Sequence, residues 1–226
     1  MKKSIFIAAL FGFFALFVQC MNKPDNKIRY VAIGDSYTIG TGANEGEAWP
    51  DILTNNLQKA GTPIELIANP ARNGWTTQDV IDHELDIYNK SEPNFATLLI
   101  GVNDWVQGVD SATYHRHLNI IINAMQAKLP DKHKLLLVTI PDFSMAPAGA
   151  QYSNGRDISQ GITDFNNIIK QEAATRGLKV VDVFPLSKEM ANDKTLVADD
   201  FLHPSAKEYA LWEKIIYPVA AEMLKK

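Results

Sequence analysis

The chain has 226 residues, 46% hydrophobic and 21% charged, with 22 basic against 26 acidic side chains and a net charge of -4. That length and apolar content suffice for one domain with a full core, and the even mixture of charge signs excludes a disordered chain. With Lys2 and Lys3 set aside as part of a removable leader, 20 basic residues face 26 acidic ones, a net of -6 without a basic stripe, which argues against a nucleic-acid partner.

Lys2 and Lys3 open an almost unbroken apolar run from Ile5 to Val18, closed by Gln19 and Cys20. A basic start, a short apolar stretch and an abrupt polar change read as a secretory signal over residues 1–19. The run falls short of the roughly 20 residues that a spanning helix needs. Cys20 is the single cysteine, so an internal disulfide is impossible. Its position resembles the lipidated first residue of a bacterial lipoprotein, although Phe17-Val18-Gln19 departs from the usual preceding pattern. The expectation is an exported cell-envelope lipoprotein, touching the membrane only through its lipid, with residues 20–27 as a polar tether. Simple secretion, to the periplasm or beyond, and an uncleaved anchor are the alternatives.

From Ile28 onward strand-like and helix-like segments alternate. Apolar, β-branched runs at Ile28–Ile33, Ile64–Ala68, Phe95–Ile100, Lys134–Ile140 and Leu178–Val183 predict five strands covered on both faces. Amphipathic stretches near Trp49–Lys59, Thr77–Tyr88, Ala112–Leu129 and Ile158–Thr175 predict the helices between them. Pro204-Ser205 opens a last helix to about Leu224, which Pro218 should kink or split. The alternation implies one α/β domain over residues 28–226, three layers deep, built on a five-stranded parallel sheet with right-handed crossovers. In such sheets ligands bind beyond the carboxyl ends of the strands.

The first strand runs into Gly34-Asp35-Ser36-Tyr37-Thr38-Ile39-Gly40. Flanking glycines permit the tight turn that lifts a serine off a strand end, where the N–H groups of a helix start favour developing negative charge. A serine here equally suits an N-cap or turn. As a nucleophile it needs a base, and the base needs a group that fixes its tautomer. Of five histidines, His83 lies in a predicted helix, and His115 and His117 point about 200° apart on another, so they form no metal pair. His133 sits in a polar turn. His203, in Asp199-Asp200-Phe201-Leu202-His203-Pro204, falls in a loop after the last strand with a carboxylate three residues back. Donors for an oxyanion are available in two more strand-end segments, Asn69 to Thr76 and Gly101 to Asp104.

Gly34-Asp35-Ser36, Asn73-Gly74, Gly101-x-Asn103-Asp104 and Asp200-x-x-His203 together resemble, in order, the four motif blocks of the SGNH (GDSL) hydrolases. The resemblance spans nearly the whole chain from Ile28 to the last helix and implies the family's flavodoxin-like fold and serine esterase chemistry. It implies Ser36 as nucleophile, His203 as base and Asp200 as its orienting acid, with Asp199 the lesser candidate. It implies an oxyanion hole from the backbone N–H groups of Ser36 and Gly74 and the side chain of Asn103. Asp35 and Asp104 are expected to hold their loops in shape. Neither a metal nor an organic cofactor is called for, and the partner is a small-molecule ester.

The loop from Pro141 to Arg156 leaves the fourth strand's carboxyl end and should overhang the pocket. Trp75 and Trp105, each one or two residues beyond an oxyanion donor, are expected to wall the same cleft. The loop supplies neither a broad apolar groove nor an amphipathic lid helix, so short acyl groups, acetyl to about hexanoyl, are expected over long chains. A carbohydrate acetyl-esterase and a lysophospholipase-type member remain alternatives. From a different class, so does a non-catalytic glycan- or lipid-binding surface lipoprotein.

Overall fold

The computed structural model describes residues 27–225. The leader, Cys20 and the tether as far as residue 26 lie outside the described residues. Five strands, β1 (Ile28–Gly34), β2 (Ile64–Ala68), β3 (Phe95–Leu99), β4 (Leu135–Val138) and β5 (Lys179–Val181), form one sheet in the order β2-β1-β3-β4-β5. Every pairing is parallel. Each strand coincides with a predicted apolar run, and β3 and β4 are buried at every position, as strands covered on both faces must be.

The helices follow in chain order: α1 (Ser36–Ile39), α2 (Trp49–Lys59), α3 (Thr77–Asp79), α4 (Leu85–Ser91), α5 (Val102–Val106), α6 (Ser111–Lys128), α7 (Ile158–Arg176), α8 (Phe184–Ser187) and α9 (Ala206–Leu224). Helices α2 and α9 pack on each other over one face of the sheet, while α4, α6 and α7 pack side by side over the other. The core between the layers holds Trp49, Trp212, Tyr30, Tyr88 and Tyr114, all fully buried. Three buried phenols are satisfied: Tyr30 pairs with Thr97 Oγ1 at 2.8 Å, Tyr88 donates to the Met125 carbonyl at 3.0 Å and Tyr114 to that of Ile100 at 3.1 Å.

The chain moves outward from β1 to β2 and then returns to the other side of β1 for β3. The connections leaving β1 and β3 therefore part above the sheet, opening a crevice at its carboxyl edge. Two helices differ from expectation. The stretch from Thr77 is not uniform: between α3 and α4 lies a π-helical turn, Val80–Glu84, closed by the bond from Leu85 N to the Val80 carbonyl. Glu84, the last residue of that turn, is fully buried. Helix α9 is not split at Pro218 but continues to Leu224, with Trp212, Ile216 and Ala220 packed in the core on both sides of the proline.

Candidate active site

The crevice holds a cleft of about 190 Å³, lined by Ser36, Asn73, Gly74, Asn103 and His203 together with Tyr37, Val102, Val106, Phe143, Tyr152 and Leu202. Sites predicted in four separate loops thus meet in one place. A wider cavity of about 710 Å³ at the opposite end of the strands is lined by groups such as Ile28, Pro63, Asn94 and Lys134. Neither a serine nor a histidine lines it, so volume alone is a poor guide to the chemistry.

Ser36 is the first residue of α1 and only 4% exposed. Asp35 caps this helix, its Oδ1 accepting from Tyr37 N at 3.0 Å, and Gly40 closes it with φ 89°. Below the turn, Gly34 N has run past the end of β2, whose last partner on β1 is Val31. It donates instead to Glu84 Oε2 at 3.1 Å. Burial pushes the Glu84 carboxyl up to about 9 and that of Asp35 up to about 8, so both are mostly protonated at neutral pH.

His203 is positioned by a pinned loop. Ala198 N donates to the His203 carbonyl at 2.9 Å and Ser205 N to that of Leu196 at 2.8 Å. Within the loop, Asp200 Oδ1 accepts from Leu202 N and His203 N, both at 2.9 Å, and its Oδ2 lies 2.6 Å from His203 Nδ1. Desolvation raises the Asp200 pKa, but the two backbone donors and the imidazole outweigh it and leave the acid below its ordinary range. An ionised carboxylate only accepts, so His203 Nδ1 carries the proton and Nε2 is left as the basic nitrogen. The Tyr37 ring stands edge-on to the imidazole, centroids 5.8 Å apart, and to Trp212 at 5.9 Å, while Trp49 Nε1 donates to the Tyr37 carbonyl at 3.0 Å. Asp199 has no comparable bond to the imidazole, in keeping with its lesser standing.

The two remaining loops are tied to each other. Asn103 Nδ2 donates one N–H to the Trp75 carbonyl at 2.8 Å, leaving its second amide hydrogen for the cleft. Asp104, buried beside it, accepts from Thr77 N at 2.9 Å through Oδ2 and from Thr77 Oγ1 through Oδ1. Desolvation raises the Asp104 pKa against these bonds. Gly74 has φ 80° and open space where a Cβ would stand, so its backbone faces the cleft unobstructed. Asp35 and Asp104 therefore shape loops, as expected of them.

Neither tryptophan belongs to the cleft wall. Trp105 is 5% exposed and sits one layer behind it, edge-on to Phe143 at 5.9 Å, under the Arg156 guanidinium at 4.0 Å and against Gly161. Its position on α5 turns the indole toward α7 rather than the crevice. Trp75 packs on His83, centroids 5.4 Å apart, and contributes only its carbonyl. The wall is supplied instead by Phe143 and Tyr152, from the Pro141–Arg156 loop. That loop overhangs the crevice as predicted but is not irregular: it contains two 3-10 turns, Phe143–Met145 and Gly149–Tyr152.

The sheet order and the crevice at its carboxyl edge define a three-layer α/β fold on a parallel sheet, with a buried serine and a carboxylate-paired imidazole lining the same cleft. Residues 32–211 match the family model described as the GDSL-like lipase/acylhydrolase family, and the chain belongs to that family of ester hydrolases. No curated protein matches it in sequence. Among solved structures, a lipase/acylhydrolase from Enterococcus faecalis superposes with a TM-score of 0.71 at 20% identity, over 88% of this chain and 97% of that one. The psychrotrophic esterase EstA from Pseudoalteromonas sp., in a form inhibited by monoethylphosphonate, gives 0.67 at 21%, over 89% and 100%. A Clostridium thermocellum family 3 carbohydrate esterase gives 0.68 at 22%, over 88% and 97%.

Proposed function

We propose that this chain hydrolyses carboxylic esters of short acyl groups through an acyl-enzyme on Ser36. The observation that carries the reading is the pairing of Asp200 with His203 Nδ1 in the cleft that also holds Ser36. It leaves Nε2 as the nitrogen able to take the serine proton. Ser36 Oγ attacks the acyl carbon as His203 accepts that proton, and the carbonyl oxygen becomes the oxyanion. The N–H groups of Ser36 and Gly74 and the free amide hydrogen of Asn103 stabilise it. The C–O bond to the alcohol then breaks, the alcohol leaving with the proton from His203. Water, deprotonated by the same nitrogen, releases the acid and restores Ser36.

A cleft of about 190 Å³, below the roughly 300–1,000 Å³ of most small-molecule sites, supports short acyl groups. The decisive kinetics compare wild type with Ser36→Ala and His203→Ala on a short-chain ester. Each variant is expected to lose essentially all turnover while staying folded, and the double variant little more. Near-normal turnover by Ser36→Ala removes the reading.

The chain is further proposed to be exported and lipidated at Cys20. Among the described residues no helix is long and apolar enough to cross a membrane. Intact-mass measurement of native protein is expected to find a mature chain starting at a lipidated Cys20. A free thiol there, or cleavage elsewhere, removes the lipid.

A further inference from the structure

The five strands are parallel, so their amino ends share one edge, opposite the cleft. Lysines that are scattered along the chain gather there. Lys59 and Lys128 end α2 and α6, Lys132 and Lys134 lie in the 3-10 turn before β4, Lys179 opens β5 and Lys225 follows α9. Lys134 is half-buried and the others are exposed, and none of the six forms an ion pair among the described residues. The acids on this edge are mostly engaged: Glu65 with Lys27, Asp86 with Lys90 at 2.6 Å, and Asp131 with His133 at 3.2 Å. Glu92 and Glu222, both exposed, stand outside any ion pair.

Helix ends explain part of this pattern, since a cation offsets the dipole at a helix's carboxyl end. Lys59 and Lys128 fit that account, whereas Lys132, Lys134 and Lys179 lie outside the α-helices. The protein's net charge is -4, and exposed acids such as Glu45, Asp110, Asp157 and Asp199 stand at the cleft edge instead. The molecule is thus electrically polar, positive at the amino edge and negative around the cleft. Within the basic edge lies the cavity of about 710 Å³, where Ile28, Pro63 and Leu224 meet Lys134 and Lys225. Apolar groups beside lysines suit the boundary between headgroups and acyl chains better than a purely charged polymer.

Lys27, the first described residue, enters at the rim of this cavity. Its carbonyl accepts from Asn94 Nδ2 at 3.0 Å, and both Asn94 and Ile28 line the cavity. Eight residues separate it from Val18, the last of the apolar run; fully extended they reach about 30 Å. We propose that the amino edge of the sheet docks on a bilayer bearing anionic headgroups, holding the cleft away from the membrane so that the substrate enters from the aqueous side. This contact is separate from a lipid on Cys20 and does not depend on the esterase reading. Anionic headgroups attract lysines within a Debye length, about 10 Å, and repel the acidic cleft edge, so attraction and orientation act together.

The test follows amide hydrogen exchange of the full chain with vesicles of phosphatidylcholine, alone or mixed with phosphatidylglycerol. Residues 59–63 and 131–134 are expected to exchange at least about 5-fold more slowly on the mixed vesicles, the worth of a single lysine at an anionic surface. The loops around the cleft should exchange alike on both. Combining Lys59→Glu, Lys132→Glu and Lys225→Glu, all exposed and remote from the cleft, is expected to remove the difference while the protein melts cooperatively as before. Equal exchange on the two vesicles, or a difference that survives in the triple variant, overturns the docking face. So does slowing at residues 143–152, which would turn the cleft toward the membrane. Slowing without vesicles that grows with protein concentration also overturns it, making the edge a contact between copies of the chain.

Discussion

Replacing Glu84 by Gln should raise stability relative to wild type by an amount that grows with pH. The carboxyl is fully buried, burial raises its pKa from 4.5 to about 9, and it accepts one bond, from Gly34 N at 3.1 Å. Between those two values the folded state keeps the proton while the unfolded chain has released it. The folded state therefore binds more protons, and stability falls as pH rises through the window, levelling off above about 9. Each pH unit is worth about 1.4 kcal/mol, so by pH 7 the loss relative to pH 4 is about 3 kcal/mol. Glutamine keeps an oxygen for Gly34 N and cannot ionise. In a domain of this size 1 kcal/mol moves Tm by about 2–4 °C, so the variant should gain roughly 6–12 °C on wild type between pH 4 and pH 7. Asp35, raised to about 8 by the same cause, titrates in both proteins and largely cancels. Thermal melts of the pair at unit intervals from pH 4 to pH 9 measure the gap. A gap that stays constant or narrows across that range refutes the reasoning.

Asn103→Ala should lower kcat by about 100- to 1,000-fold with little change in KM, since its free hydrogen is needed only once the oxyanion forms; a change mainly in KM would assign it to ground-state binding. Gly161→Ala would bring a Cβ to 1.7 Å from Trp105 Nε1, and is expected to cost about 1–3 kcal/mol by overpacking. An unchanged melt would contradict the packing of Trp105 against α7. Across a series of ethyl esters, kcat/KM should peak between acetyl and about hexanoyl, and a steady rise through twelve carbons and beyond would contradict the small cleft.

Much of the architecture was legible in the sequence because it depends on patterns with one reading. Runs such as Leu135–Val138 are apolar at every position, and at that length such a run fits a strand between two helical layers. The four motif blocks were legible because each follows a strand, and parallel strands bring their ends together. What stayed hidden depends on side-chain direction. Trp105 follows Asn103 by two residues, yet on α5 that offset turns it into the core. Phe143 and Tyr152 carry no such signal, because the loop's prolines and glycines conceal two ordered turns. Glu84 did leave a signal. Val80, Glu84 and Tyr88 repeat at a four-residue interval on the buried face of one helical stretch, and an acid there demands a partner. Thr76 and Asp79 likewise form the capping box that their three-residue spacing advertises.

The most direct measurement is to trap the covalent intermediate. The protein would be treated with a serine-reactive phosphonate and examined by intact mass and peptide mapping. The account predicts a single adduct on Ser36, loss of ester hydrolysis in proportion to labelling, and no adduct in Ser36→Ala. Labelling of a different serine, or full activity in a protein quantitatively labelled at Ser36, would contradict it.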